Sequence, residues 1–320
     1  AVPLGAAAAW LLSTGAFNQF LFWNFQYGIE FGARIPFSEF PSQLWQALPG
    51  IINGYFLAWF LAGIGIFFAL RAQRLKPFMF FIACFSLASA AAVSLGFQFR
   101  SHYFVMILPA LSLFAGIAIT GLGDWLKTRG SSALAPLPAL AVLVAVGYGV
   151  YSERDYFFRK DVDTLSRDVY YPNPFAEVAT IAEFIKSRTA PNDKIAVLGS
   201  EPEILVGAQR FSATPYLFTY FFMEPHEHSV EMQKEMIASV DKAPPKIIVL
   251  VNLPISWGIR PRSERLVLNW IATDIKPRYD IVGVVDLLSP AQTIYKWNDE
   301  ARSYNRLAAA SILLLQRRTL

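Results

Sequence analysis

The chain has 320 residues, 54% of them hydrophobic, with 28 Lys/Arg against 24 Asp/Glu and a formal net charge of +4. The distribution of that charge excludes a nucleic-acid surface. Seven of the basic and three of the acidic residues lie in 1–151, leaving 21 of each in 152–320, so the excess reports loop charges of an apolar half rather than a polyanion-binding face. A single cysteine, Cys84, excludes an internal disulfide and a cysteine metal site.

No Lys, Arg, Asp or Glu occurs in 40–70, 77–99, 101–123 or 130–152. A hydrocarbon core takes about 20 apolar residues of helix to cross. Windows of this length in series predict a polytopic α-helical membrane module over 1–151, with about five spans at 2–16, 48–70, 77–97, 104–125 and 132–151. The chain opens on Ala1 inside an apolar stretch with no charged region before it, which reads as a truncation within a membrane segment rather than a signal peptide. Further helices are expected upstream.

After the first span, the stretch from Phe17 to Tyr27, followed by Ile35, Pro36, Phe37 and Trp45, interleaves aromatic rings with amides. Such a pattern belongs at headgroup level, where ring and polar edge are both satisfied. It reads as an interfacial helix on the outer leaflet, with the lining of a lipid or sugar groove as the alternative. The hinge 71–76 carries three positive charges and 127–129 two. Parity places both on one side, which the positive-inside rule makes cytoplasmic. The opposite side receives the hinge 97–103 and everything after 151, so residues 152–320 are expected to form an extracytoplasmic domain, periplasmic in a Gram-negative cell.

In that second half, 152–172 is charged and Tyr-rich, a linker or short juxtamembrane helix. Pro174 at a first turn, then Val178, Ile181, Ala182 and Ile185 on one face, predict a helix over 174–188. Continuous apolar runs at 193–199 and 245–251 read as buried strands. Helices follow over 230–240 and 262–275, and further strands over 279–287 and 311–316. Helices alternating with continuously apolar strands predict an α/β sheet covered on both faces.

Soluble-enzyme signatures are absent. Leu198-Gly-Ser-Glu201 offers one Gly after a strand, not a phosphate-binding loop, and no Ser or Thr sits in a nucleophile elbow. His226 and His228 offer two imidazoles without a third ligand, so no metal site and no cofactor are expected, although a divalent metal stays open. The hinge Arg100-Ser-His102-Tyr103 carries more. An Arg abutting two apolar spans costs free energy unless it reaches the interface or an anion, and its fork donates bidentately to phosphate oxygens. Arg100, His102 and Tyr103 are therefore candidates for a phosphate, against a snorkelling Arg within a Tyr belt. Glu201, Arg210 and Tyr216 gather after the first buried strand, at the end of an open sheet where ligands sit. They are candidate sugar or acceptor contacts, against a helix cap with an intradomain ion pair. Trp257, Arg260 and Arg262 follow the second strand at the equivalent end.

The segment from Phe99 to Leu113, with Arg100, His102, Tyr103 and Phe104 opening a Leu-Pro-containing helix, resembles a helix of bacterial membrane glycosyltransferases of the GT-C fold, relatives of protein O-mannosyltransferases and aminoarabinose transferases. Residues 182–186, 193–203, 210–216 and 244–249 resemble the extracytoplasmic C-terminal domain of the same group. The likeness, with 15–27 included, runs from about residue 15 to residue 255. It implies transfer of a sugar from a polyprenyl-phosphate donor to an unknown glycan, lipid or protein acceptor at the outer membrane face. Such enzymes carry a catalytic Asp in the first external loop, acting as base on the acceptor hydroxyl. Glu30 and Glu39, the external carboxylates of 1–151, do not match that motif, so the base is expected upstream of Ala1 and this fragment is expected to be inactive alone. A non-enzymatic membrane subunit or sensor, whose external domain binds a partner or polysaccharide, is the rival class; a transporter is weaker, because the span interiors lack charge.

Overall fold

The structure is a computed structural model that describes residues 2–32, 35–54 and 56–318. It divides into two compact units, Ala1–Ser152 and Glu153–Leu320.

The first unit is helical: α1 (Val2–Ser13), α2 (Phe40–Gly54), α3 (Phe56–Arg71), α4 (Met79–Ser94), α5 (Leu108–Thr128) and α6 (Leu137–Ser152). Among the described residues, three continuous helical stretches, Gln73–Phe97, Ser101–Thr128 and Ser132–Ser152, are long and apolar enough to cross a membrane. At most 17% of each apolar window is buried inside the protein, and none of the third. Phe80, Leu87 and Leu143 thus face outward. In water, apolar surface of that extent is an aggregation liability; in hydrocarbon it is the ordinary state of a helix that satisfies its own backbone.

The five spans expected from the sequence reduce to three, or four if a bent pair counts as one. Helix α1 is a shorter apolar helix of 12 residues. The window 48–70 is not one straight helix, because the segments Phe37–Asn53 and Phe56–Arg71 meet at 104°. Pro49 removes a backbone donor inside α2, and Gly50, Asn53 and Gly54 are weak helix formers just before the bend. The aromatic stretch 17–27 is helical, Phe17–Leu21 running through a π-helical turn, Phe22–Gln26, into Tyr27–Gly32.

Helices α3 and α5 run in the same direction and meet at glycines. A methyl group on Gly65 would lie 1.9 Å from the Phe114 carbonyl oxygen, and one on Gly121 would lie 2.4 Å from the Phe68 ring. Small residues let helix backbones approach where no hydrophobic drive exists between them. The same register brings Arg74 Nη1 within 3.1 Å of Asp124 Oδ2, so the two basic hinges share one end of this pair.

The second unit is built on α7 (Val178–Arg188), β1 (Ala196–Leu198), α8 (Glu203–Ala208), α9 (Ser229–Lys242), β2 (Ile247–Asn252), α10 (Leu266–Trp270), β3 (Tyr279–Ser289), β4 (Gln292–Trp297) and β5 (Ser311–Arg317). The sheet order is β1-β2-β5-β3-β4. β1 and β2 are parallel, joined across α8 and α9, and the other pairings are antiparallel. Consecutive residues of β1, β2 and β5 are buried, which requires cover on both faces. The core joins Ile181 and Ile185 of α7 to Val197, Val249, Val285 and Leu314.

Two local expectations change, and one strand has no counterpart among the expected elements. Residues 174–177 form a turn ahead of α7, and the helix expected over 262–275 is α10 followed by a π-helical turn, Ile271–Ile275. Strand β4 is an edge strand with exposed or half-buried residues throughout. Its sequence therefore lacks the continuous apolar run that marks β1 and β2.

Candidate functional site

The hinge after α4 is an unusual piece of backbone. Gly96 has φ +70°, and Phe97 and Phe99 have φ +52° and +42°. For bulky residues the left-handed region is costly and persists only where surrounding structure over-determines it. Here that structure is aromatic. Phe40 packs edge-on against Phe97 and Phe99, each at 5.4 Å between ring centroids. Phe99 and Phe104 are buried with Val93, and α2 supplies Leu44, Leu48 and Ile51 around them. Gly96 lies against Gly32, 3.3 Å from a Cβ position to its Cα.

With Phe99 and Phe104 anchored inside, the residues between them are turned out. Arg100 and His102 are exposed and Tyr103 is half-buried. Arg100 is extended, φ −65° and ψ 143°, ahead of the 3-10 turn Ser101–Ile107, and its carbonyl accepts the Tyr103 N–H at 2.8 Å. The His102 and Tyr103 rings meet edge-on at 4.6 Å. Among the described residues the Arg100 guanidinium has neither an ion pair nor a hydrogen bond. Next to it, Gln98 Oε1 is buried without a donor among the described residues, a state that costs about 1–3 kcal/mol. The hinge thus places the His102 and Tyr103 rings in contact and leaves the adjacent Arg100 exposed.

In the α/β unit the outcome is different. Because β1 and β2 are parallel neighbours, the loops after them lie side by side. Ser200 N–H donates to Ser256 Oγ at 2.8 Å, Ser200 Oγ to the Ser256 carbonyl at 2.5 Å, and Ser256 Oγ to Glu201 Oε2 at 2.8 Å. Thr219 joins through its N–H to Ser200 Oγ at 2.9 Å. The Glu201 carboxyl is 2% exposed. Burial pushes it up to about 7, against the Ser256 hydroxyl, which favours the carboxylate, while Glu203 nearby raises it further. A Cβ on residue 199 would lie 2.4 Å from Glu201 Oε2, so glycine at that position makes room for the acid.

Arg210 is not beside Glu201. It precedes Ser212, which bridges to Ile195 at the entry to β1, whereas Glu201 follows the exit. Its guanidinium donates to Thr189 Oγ1 and O at 2.9 and 2.8 Å and to the carbonyls of Ala208 and Gln209, both at 3.1 Å, capping the C-terminal ends of α7 and α8. Tyr216 donates to Glu235 Oε2 at 2.5 Å, and burial together with that carboxylate pushes its phenol upward. The structure therefore keeps Glu201, Arg210 and Tyr216 in separate hydrogen-bond groups. Trp257 is buried with its indole N–H on the Val251 carbonyl at 2.7 Å, and Arg260 lies 3.6 Å from Glu224. His226 Nε2 is 2.8 Å from the Phe221 carbonyl. Among the described residues no group of three or more His, Cys, Asp or Glu side chains is arranged to hold a metal.

Sequence patterning marks neither Ser256 nor Glu177. The latter is a buried acid held by Arg167 Nε at 3.1 Å and Thr293 Oγ1 at 2.8 Å, across 116 residues of chain in the second case. The Ser256–Glu201 and Thr293–Glu177 contacts are set by strand order, which no local motif reports. No family model matches the chain, and neither a curated protein nor a solved structure does.

Proposed function

We propose that this chain is the membrane-embedded and external portion of a transferase that moves a sugar from a polyprenyl-phosphate donor to an acceptor at the outer face of a bacterial cytoplasmic membrane. Arg100 binds the donor's phosphate, with His102 and Tyr103 as accompanying donors, and the α/β unit recognises the acceptor. In the reaction the acceptor hydroxyl attacks the anomeric carbon and the lipid phosphate leaves. A guanidinium aimed at that phosphate stabilises charge that grows in the transition state. None of the residues placed here serves as the base that takes the acceptor's proton.

The observation that carries this reading is the hinge: an exposed arginine, without a partner among the described residues, beside apolar helices and next to a costly backbone conformation. Such strain motivates a functional hypothesis. The test is transfer from a radiolabelled polyprenyl-phosphate sugar in membranes bearing the full-length protein. Arg100→Gln is expected to weaken donor binding by roughly a hundredfold, the loss of a bidentate charged contact. Unchanged donor affinity and transfer rate in that variant would sink the assignment.

The rival reading, a non-enzymatic subunit whose α/β unit binds a partner or polysaccharide, draws on the exposed Leu217, Ile255, Ile259 and Leu307 around the β1 and β2 exits. Polysaccharide binding without transfer from any donor in the same membranes would favour it.

A further inference from the structure

The end of the α3/α5 pair that carries the basic hinges forms a site of its own. The two helices are drawn together at Gly65 and Gly121. Past Arg71 the chain leaves the helix through an extended Ala72 and enters a 3-10 turn, Gln73–Phe78. That departure opens a cleft of about 430 Å³ against α5, lined among others by Arg71, Gln73, Arg74, Asp124, Trp125 and Thr128.

The electrostatics of the cleft are unbalanced. Asp124 is shared by Arg74 at 3.1 Å and Lys127 at 3.4 Å. Arg71 has no carboxylate partner among the described residues, so the lining sets two guanidiniums against one carboxylate that Lys127, outside the lining, also claims. Arg71 lies over the Phe67 ring at 3.8 Å from its centroid, which holds the guanidinium at the apolar edge, and its N–H groups have no acceptor among the described residues. Trp125 is 48% exposed, and an indole prefers headgroup depth. Half-buried Phe68 of α3 supplies an apolar wall of the cleft, and Phe67 and Leu70 expose further apolar surface on the same helix. Cationic fork, interfacial indole and apolar wall together match one chemistry, a phosphate carried on acyl chains.

We propose that this cleft binds the phosphate headgroup of an anionic membrane lipid. The proposal rests on the first unit being embedded in a bilayer and is independent of the transferase reading. Helix α5 rises about 31 Å over its 21 residues, and Arg100 precedes its start while Arg71 and Arg74 meet its end. The two phosphate sites therefore lie at opposite ends of one helix and can be tested apart.

The experiment is native mass spectrometry of the full chain in detergent, titrated with phosphatidylglycerol or phosphatidylcholine. Phosphatidylglycerol is expected to bind more tightly. Arg71→Gln combined with Arg74→Gln is expected to weaken it by roughly thirtyfold, with phosphatidylcholine unaffected. Asp124→Asn, which releases Arg74 and Lys127, is expected to tighten it by roughly fivefold, a gain that misfolding cannot imitate. A control pair outside the cleft lining, Lys76→Gln with Arg129→Gln, is expected to have a smaller effect than the cleft pair. Millimolar inorganic phosphate is expected to leave the lipid bound. Equal affinity for the two lipids, or equal losses from the cleft and control pairs, would overturn the site. Displacement by inorganic phosphate would overturn the lipid assignment in favour of free phosphate.

Discussion

Arg100 and Arg210 are both arginines in loops beside apolar packing, and their situations are opposite. Arg210 commits its guanidinium to four oxygens of its own unit; Arg100 has no partner among the described residues. The contrast extends to their units. In the helical unit, charges collect at helix ends and several have no ion-pair partner among the described residues. In the α/β unit, Glu201, Arg210 and Tyr216 are each held by neighbours. Residue type alone therefore does not distinguish a ligand contact from an internal clamp. What distinguishes them is whether the donors are already occupied.

The largest expected effect that tests this contrast is Arg210→Met. It removes four hydrogen bonds and leaves Thr189, which is buried, without its donor, at a cost of about 4 kcal/mol to the α/β unit. Amide exchange in β1 and β2 of the full chain would report it. A unit of unchanged stability that had lost acceptor binding would reverse the roles assigned to the two arginines.

Next comes pH. The folded Glu201 value, about 7, lies above the unfolded value near 4.5, so the stability it contributes is full below pH 4.5 and is lost as pH rises through 7. The loss amounts to about 3 kcal/mol. Glu201→Gln should match the parent near pH 5 and exceed it in stability by about that amount at pH 8. Denaturant midpoints at the two values check this, and a pH-independent difference between the proteins would show that the acid is not held neutral by burial.

The smallest effect is the most diagnostic. Arg100→Gln should change the stability of the helical unit by no more than about 0.5 kcal/mol, because an exposed side chain without partners has little to lose. A thermal melt in detergent measures it. A loss of several kcal/mol would mean that the guanidinium braces the hinge, and its availability for a phosphate would then be in doubt.

Much of the framework is legible in the residues. The windows 77–99, 101–123 and 130–152 correspond to the three stretches of spanning length, the apolar run 193–199 contains β1, and the run 245–251 covers β2 but for its last residue. The bend between α2 and α3 leaves a trace in Pro49, Gly50, Asn53 and Gly54. A charge-free window hides that trace, since hydropathy counts residues and ignores direction. The alternation of Phe99 and Phe104 inward with Arg100 and His102 outward depends on α2 returning to cover the hinge, and nothing within 97–104 encodes that return.

The sequence by itself determined which segments avoid water and where charge is permitted, because the transfer free energy of a segment depends on its own composition. The tertiary structure alone decided which charges are satisfied. It set Ser256 on Glu201, sent Arg210 to the other end of β1, and drew Arg74 to Asp124 through glycine contacts at positions 65 and 121. Those outcomes depend on distances between segments far apart in the chain, and only the packing of strands and helices fixes such distances.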